Sequence, residues 1–307
     1  MRYIVIFLIF ACLSAASVRA GELNFGKMTT SQLEDIYKFY GYEGTRGYLM
    51  LPTYHYPKIY LQQFPVDFAQ LDDERRIALF IKVLAPLGMK INDEILAERE
   101  KLLSVITAFR KNNELDAEQT AYVERLAKEY DVFTRLQGYQ RYKHLLGELF
   151  IKVDEVPVSL LIGVAAIETD WGKNRLVAEG NSLYRQLIWH SDEGMTPQDE
   201  TEESDYKIKS YSSLYASMKE FANKLNSHVN FYQMRDFRKR LRRQKSLIAG
   251  AWFAPKLLTN SPLKNYAGLL EYTVAFYELV IIDKSILGDE MTEKPLPDNL
   301  SNLLTKK

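Results

Sequence analysis

Apolar residues recur three and four positions apart between charged ones over residues 73–88, 92–112, 116–130 and 138–152, the stripe expected of amphipathic helices. Pro86 should end or kink the first of these. Asn92 or Asp93 suits the cap of the second, and Asp116 that of the third. Residues 157–169 are different, because nearly every position is apolar and the helix must lie inside the protein. It should start at Pro157, with Asp154 and Glu155 upstream at the positive end of its dipole. Beyond Gly172 the helical period breaks. The runs Leu183–Trp189 and Tyr206–Tyr211, the second alternating at period two, flank a polar acidic loop from His190 to Asp205. They predict a small β-hairpin or lobe, the only appreciable β structure of the chain. Helices resume over 212–226, 235–250 and 264–282. Residues 40–70, with several Gly, Pro and Tyr, read as ordered coil. Past Lys294 there are two prolines and no apolar period, so 288–307 reads as a flexible tail.

This pattern makes the chain mainly α, and the composition agrees with a globular protein: 47% hydrophobic and 26% charged residues in a chain of 307. Forty basic and forty acidic residues cancel, so no global field draws it to nucleic acid. The first twenty residues stand apart. Arg2, an apolar run from Tyr3 to Leu13 and small residues ending at Ala20 have the form of a secretory signal peptide. The run is too short to span a bilayer, so the mature chain is expected in the periplasm or cell envelope without a transmembrane anchor. Acylation of Cys12, as in a lipoprotein, is the alternative. Cys12 is the single cysteine. Without it there is neither disulfide nor thiolate site, and His55, His144, His190 and His228 lack ligand spacing, so no metal and no cofactor is expected.

The chemistry concentrates at the end of the apolar helix, in "VSLLIGVAAIETDWGKN". Ala165, Val164 and Leu161 lie three, four and seven positions before Glu168, on its own face. An apolar stripe and the negative end of the helix dipole both disfavour the ionised carboxylate, so its pKa should rise. A carboxylic acid that keeps its proton near neutrality can deliver it to a leaving oxygen, as in glycoside cleavage. Trp171 can dry such a site and offer a flat face to a sugar. The same pattern also fits a solvated helix-end Glu168 with Trp171 as a core anchor.

The stretch "AAIETDWGKNRLVAEGNSLY" resembles the "AxxESxWGxSxxAxxxNNLFG" signature of bacterial peptidoglycan N-acetylglucosaminidases, the glycoside hydrolases that include flagellar and autolysin glucosaminidases. Residues 80–100, "GMTP" at 194–197 and residues 211–240 extend the likeness to the Bax-type branch, over roughly residues 50–287. The resemblance implies a lysozyme-like α-lobe with a small β-lobe (α+β) and a cleft between them. A helical extension over 21–150 would precede a catalytic domain over 151–287. It implies Glu168 as the catalytic acid and Trp171, Asn181, Tyr184 and Tyr266 as substrate-binding residues. The second carboxylate would come from the acidic loop, with Glu202 or Glu203 preferred. The partner implied is the peptidoglycan glycan strand, cut at the β-1,4 bond after N-acetylglucosamine. Lytic transglycosylation and a catalytically weakened envelope scaffold are the rival readings. The chain departs from the signature at Asp170, at Ser182 and at Arg185, which stands where the signature has glycine. Glycine permits φ values that arginine resists.

Overall fold

In a computed structural model, the protein is described over residues 22–42, 55–189, 191, 193–197, 205–257, 265–288 and 292–305. The expected signal peptide with Cys12, and Glu202 and Glu203 with most of the acidic loop, lie outside the described residues. Among those residues no helix is long and apolar enough to cross a membrane.

The fold is mainly α. After strand β1 (Leu23–Phe25) and helix α1 (Thr30–Phe39) come β2 (His55–Pro57) and β3 (Ile59–Leu61). Then α2 runs from Asp73 to Asn112 as one helix of 40 residues, about 60 Å at 1.5 Å per residue. The sequence predicts that Pro86 ends or kinks the helix, and the helix does not end there. Every residue from Ala78 to Met89 is buried, so packing on all sides outweighs the hydrogen bond that proline cannot donate. The cap is Asp72, whose carboxylate accepts from the Arg75 backbone N–H at 3.0 Å. Asn92, expected as a cap, is inside α2 and pairs with both backbone groups of Val156, at 2.8 and 2.9 Å.

The two halves of α2 serve different cores. Its N-terminal half packs with β1–β3, α5 (Val158–Thr169), α7 (Leu214–Ser227) and α9 (Tyr266–Phe276) in the main core. Its C-terminal half forms a second cluster with α3 (Ala117–Glu129) and α4 (Gly138–Lys152). The main core thus takes residues from both sides of residue 150. Asp116 caps α3 through a capping box with Gln119.

The expected hairpin forms from β4 (Leu187–Trp189) and β5 (Tyr206–Ile208), antiparallel in the register Leu187↔Ile208, with Met195 bridging to Ile208. It is not the only β structure. β1 pairs with β3, and β2 with β6 (Ile286–Gly288), both in parallel. Short strands brought together from distant parts of the chain carry no local alternation, so sequence periodicity misses them. The C-terminal segment also differs from the expected frayed tail. A short helix α10 (Asp298–Ser301) buries Leu300 in the main core, and the Thr305 N–H donates to the Asn24 carbonyl at 2.9 Å.

Two anchors hold the N-terminal end of α5. Asp283, in a 3-10 turn after α9, accepts from the Ser159 N–H and the Gly250 N–H at 2.9 and 3.0 Å and from the Ser159 hydroxyl. Asp154 and Glu155, just upstream of the helix, both accept from Arg242 of α8 (Tyr232–Arg243). Nearby Arg238, with no exposed surface, donates to the backbone carbonyls of Ile151, Lys152, Asp154 and Glu155.

Candidate active site

Glu168 sits in the last turn of α5, below buried Leu161, Val164 and Ala165. Its own side chain is half-buried. Desolvation raises its carboxyl above the ordinary glutamate range, while a hydrogen bond from the Tyr266 hydroxyl and the field of Arg185 pull it down. The rise in pKa expected from the apolar stripe is therefore present, and its cause is burial.

Close helix packing brings Tyr266 to this place. A Cβ on Gly163 would come within 2.8 Å of Leu270 and 2.9 Å of Val274, so only glycine lets α9 lie this near α5. From that crossing, Glu168 is five residues further along α5 and Tyr266 four residues back along α9, which places them side by side. Burial and the neighbouring carboxylate push the Tyr266 hydroxyl well above the tyrosine range, so it remains a donor.

The backbone after Glu168 turns sharply. Asp170, Trp171 and Gly172 have consecutive positive φ values of 49°, 54° and 78°. Asp170 is the left-handed C-cap, and aspartate is among the few side chains that visit this region, so this departure from the signature suits the turn. The Thr169 hydroxyl donates to the Ala165 carbonyl at 2.6 Å and accepts from the Gly172 N–H at 2.9 Å. A Cβ on Gly172 would meet Phe68 at 2.8 Å. The Asn174 amide fastens the Glu168 carbonyl at 3.0 Å. The carboxyl is thus presented from a fixed corner.

The other proposed binding residues divide. Trp171 turns inward, edge-on to Phe80 and to Tyr277 with centroids 5.6 and 4.5 Å away, as a partly buried anchor of the main core. Tyr184 is buried, stacked on Phe221 at 4.0 Å, and donates to the Leu161 carbonyl at 3.2 Å. Asn181, the left-handed C-cap of α6 (Arg175–Gly180), donates to the Tyr211 carbonyl at 3.2 Å. These three pack or bond within the fold, and among the described residues Tyr266 alone of the proposed set touches Glu168. Glu202 and Glu203 lie outside the described residues. Sequence reasoning missed Arg185 as a neighbour of Glu168. Its signal was the departure from glycine, which pointed to backbone and not to charge. A cavity of about 500 Å³, lined by Tyr37, Tyr42, Leu79 and Lys82 among others, lies between α1 and α2 and does not include Glu168.

Comparisons with known proteins fall on this part of the chain. Residues 148–273 match the family model Glucosaminidase, described as mannosyl-glycoprotein endo-beta-N-acetylglucosaminidase. The match spans Glu168, Arg185 and Tyr266. Protein bax of Escherichia coli strain K12 is 26% identical over 182 residues, covering 58% of this chain and 61% of that protein. The chain thus spans about three fifths of the length of the curated relative it matches. No solved structure gives a significant match.

Proposed function

We propose, from the match of residues 148–273 to the Glucosaminidase model and the likeness to protein bax, that the chain is a Bax-type glucosaminidase-domain protein that hydrolyses the β-1,4 glycosidic bond after N-acetylglucosamine in peptidoglycan, with Glu168 as general acid. The observation that carries this reading is the half-buried carboxyl of Glu168 with the Tyr266 hydroxyl on it. Burial favours the protonated acid, the form that delivers a proton to the leaving glycosidic oxygen. Once the proton is given up, the Tyr266 hydrogen bond stabilises the carboxylate that remains and holds its orientation. Positive charge then develops at the sugar ring. It is met either by a second carboxylate, for which Glu202 or Glu203 of the acidic loop is our choice, or by the acetamide of the substrate itself. The reading places the mature chain in the periplasm or cell envelope, without metal.

Digestion of purified sacculi, with the new chain ends identified by mass spectrometry, tests the proposal. New reducing N-acetylglucosamine ends are expected. Anhydro-muramic ends would replace hydrolysis by lytic transglycosylation, and no new ends would leave a peptidoglycan-binding scaffold.

A further inference from the structure

Arg185 is the one residue near Glu168 whose conformation the fold does not explain. Every other described non-glycine residue with positive φ lies at a helix cap or next to one, most of them where a left-handed residue closes the helix and Asn265 and Glu278 at the start of one. Arg185, with φ 45°, lies in the connection between α6 and β4. Both neighbours are fixed: Tyr184 by its stacking and its bond to α5, and buried Gln186 by its carbonyl, which accepts from the Lys209 N–H at 2.8 Å. Holding an arginine left-handed between them costs about 1–2 kcal/mol. Strain of this kind persists where the side chain it presents has a use.

What it presents is an exposed guanidinium that forms no hydrogen bond or ion pair with another described residue. Its field reaches Glu168, yet the two are not within ion-pair distance, and among the described residues no carboxylate pairs with its fork. The chain then continues with Gln186 buried, Leu187 48% exposed, Ile188 half-buried and Trp189 59% exposed. The cation and the aromatic face are thus four residues apart along the chain, with Leu187 between them. A planar guanidinium fits a carboxylate with two parallel hydrogen bonds. An aromatic with an apolar neighbour fits the flat side of a sugar ring. One ligand satisfies both, a glycan that carries a carboxylate substituent.

We infer that Arg185 is the specificity determinant of this site, binding a carboxylate on the glycan beside the bond that faces Glu168, with Leu187 and Trp189 under the adjoining sugar. The inference rests on the glycosidase reading above and names the substrate feature which that reading leaves open. In peptidoglycan the carboxylate can be the lactyl group of muramic acid, free where the stem peptide has been removed, or a carboxylate of the stem peptide itself.

The test measures kcat/KM and Kd of the full chain for three glycans: denuded strands with free lactyl groups, peptide-bearing strands, and neutral oligomers of N-acetylglucosamine. Arg185→Gly is the chosen variant, because glycine suits the left-handed backbone and the fold is kept. Arg185→Lys retains charge without the fork. Expected is a roughly tenfold fall in the preference of Arg185→Gly for one carboxylate-bearing glycan over the neutral one, the size of one good charged contact. Arg185→Lys should recover part of it, and added salt should erode the preference of the wild-type chain but not that of Arg185→Gly. Whichever carboxylate-bearing glycan loses its advantage identifies the source. A preference unchanged in Arg185→Gly overturns the inference, even if all rates fall together. If nothing is cleaved but the Kd preference exists and needs Arg185, the glycosidase reading fails and this inference stands. A chain that binds none of the three glycans overturns both.

Discussion

One helix, α5, has a partly buried carboxyl at each end, and desolvation raises both. At the N-terminal end Asp283 is pushed up to about 6 by desolvation, with the hydrogen bonds from Ser159 and Gly250 working against the shift. At the C-terminal end Glu168 is raised by the same cause, and its opposing contacts are the Tyr266 hydroxyl and the field of Arg185. Direction of shift does not tell the two apart. Their partners and access do. Asp283 receives three donors from two elements, so both of its oxygens are occupied with joining those elements. Glu168 is half open and has one hydroxyl on it, which leaves room for a substrate oxygen. A perturbed carboxyl suggests chemistry only where an oxygen remains unsatisfied and reachable.

The comparison breaks most visibly if Glu168→Gln keeps its activity. The amide preserves shape but cannot deliver a proton, so turnover on sacculi should fall about 10³-fold, within the range for loss of a general acid. The melting temperature should move little, because the site gives up one hydrogen bond and no packing. A near wild-type rate of appearance of reducing ends would end the assignment.

Asp283 should respond in the opposite way. Asp283→Ala leaves three donors without their acceptor, and at about 1 kcal/mol or more for each, a loss of about 3 kcal/mol is expected in urea unfolding. Activity per folded molecule should be retained. Since its folded pKa of about 6 lies above its ordinary value of 3.8, the group stabilises the fold fully below that ordinary value. That contribution is lost as pH rises through about 6. The stability gap between wild type and Asp283→Asn should therefore narrow, or change sign, between pH 4 and pH 7 by the same route. A gap independent of pH would show that Asp283 titrates alike in both states.

Trp171 stands between the two ends in kind. It follows Glu168 by three residues, yet its ring packs against Phe80 and Tyr277. Trp171→Ala should cost about 2–3 kcal/mol of stability, below the 3–5 of a fully buried aromatic because the residue is partly open. Glycan Kd should stay within a few-fold of wild type at temperatures where the variant is folded. A large loss of affinity with unchanged stability would return Trp171 to the substrate.

What the sequence showed of this arrangement follows from the range of each signal. Glu168 was legible because its stripe, Leu161, Val164 and Ala165, is local. Tyr266 was legible only through family likeness, since nothing in "KNYAGLL" points to a residue 98 positions earlier. Asp283 was invisible, its partner Ser159 being 124 residues away. Pro86 does not end α2 because residues 78–89 are packed on all sides, which local propensity cannot see. The tail misled for a related reason. Leu296, Leu300, Leu303 and Leu304 pack on the main core at near-helical spacing, but Pro295 and Pro297 mask it. Arg185 was noticed as a backbone departure, and its charge gained meaning only when the fold placed it beside Glu168.

The smallest effect, and the finest test of the contrast, belongs to Tyr266→Phe. The ring stays and the apolar wall with it, so desolvation of Glu168 persists and only the hydroxyl that favours its charged form is removed. The pKa of Glu168 should therefore move further up. A general acid works while it holds its proton, so activity falls as pH rises through that pKa. Loss of the hydroxyl should shift this alkaline limb of kcat/KM to higher pH, with only a few-fold change on the acid side. Arg185→Gly should move the limb the same way, since that guanidinium also favours the carboxylate. Asp283→Asn, at the far end of α5, should leave the limb where it is. If the limb moves to lower pH in Tyr266→Phe, the hydroxyl supports the protonated acid and the electrostatic account of this site is reversed. If it moves only in Asp283→Asn, the titrating group seen in the rate is at the other end of the helix.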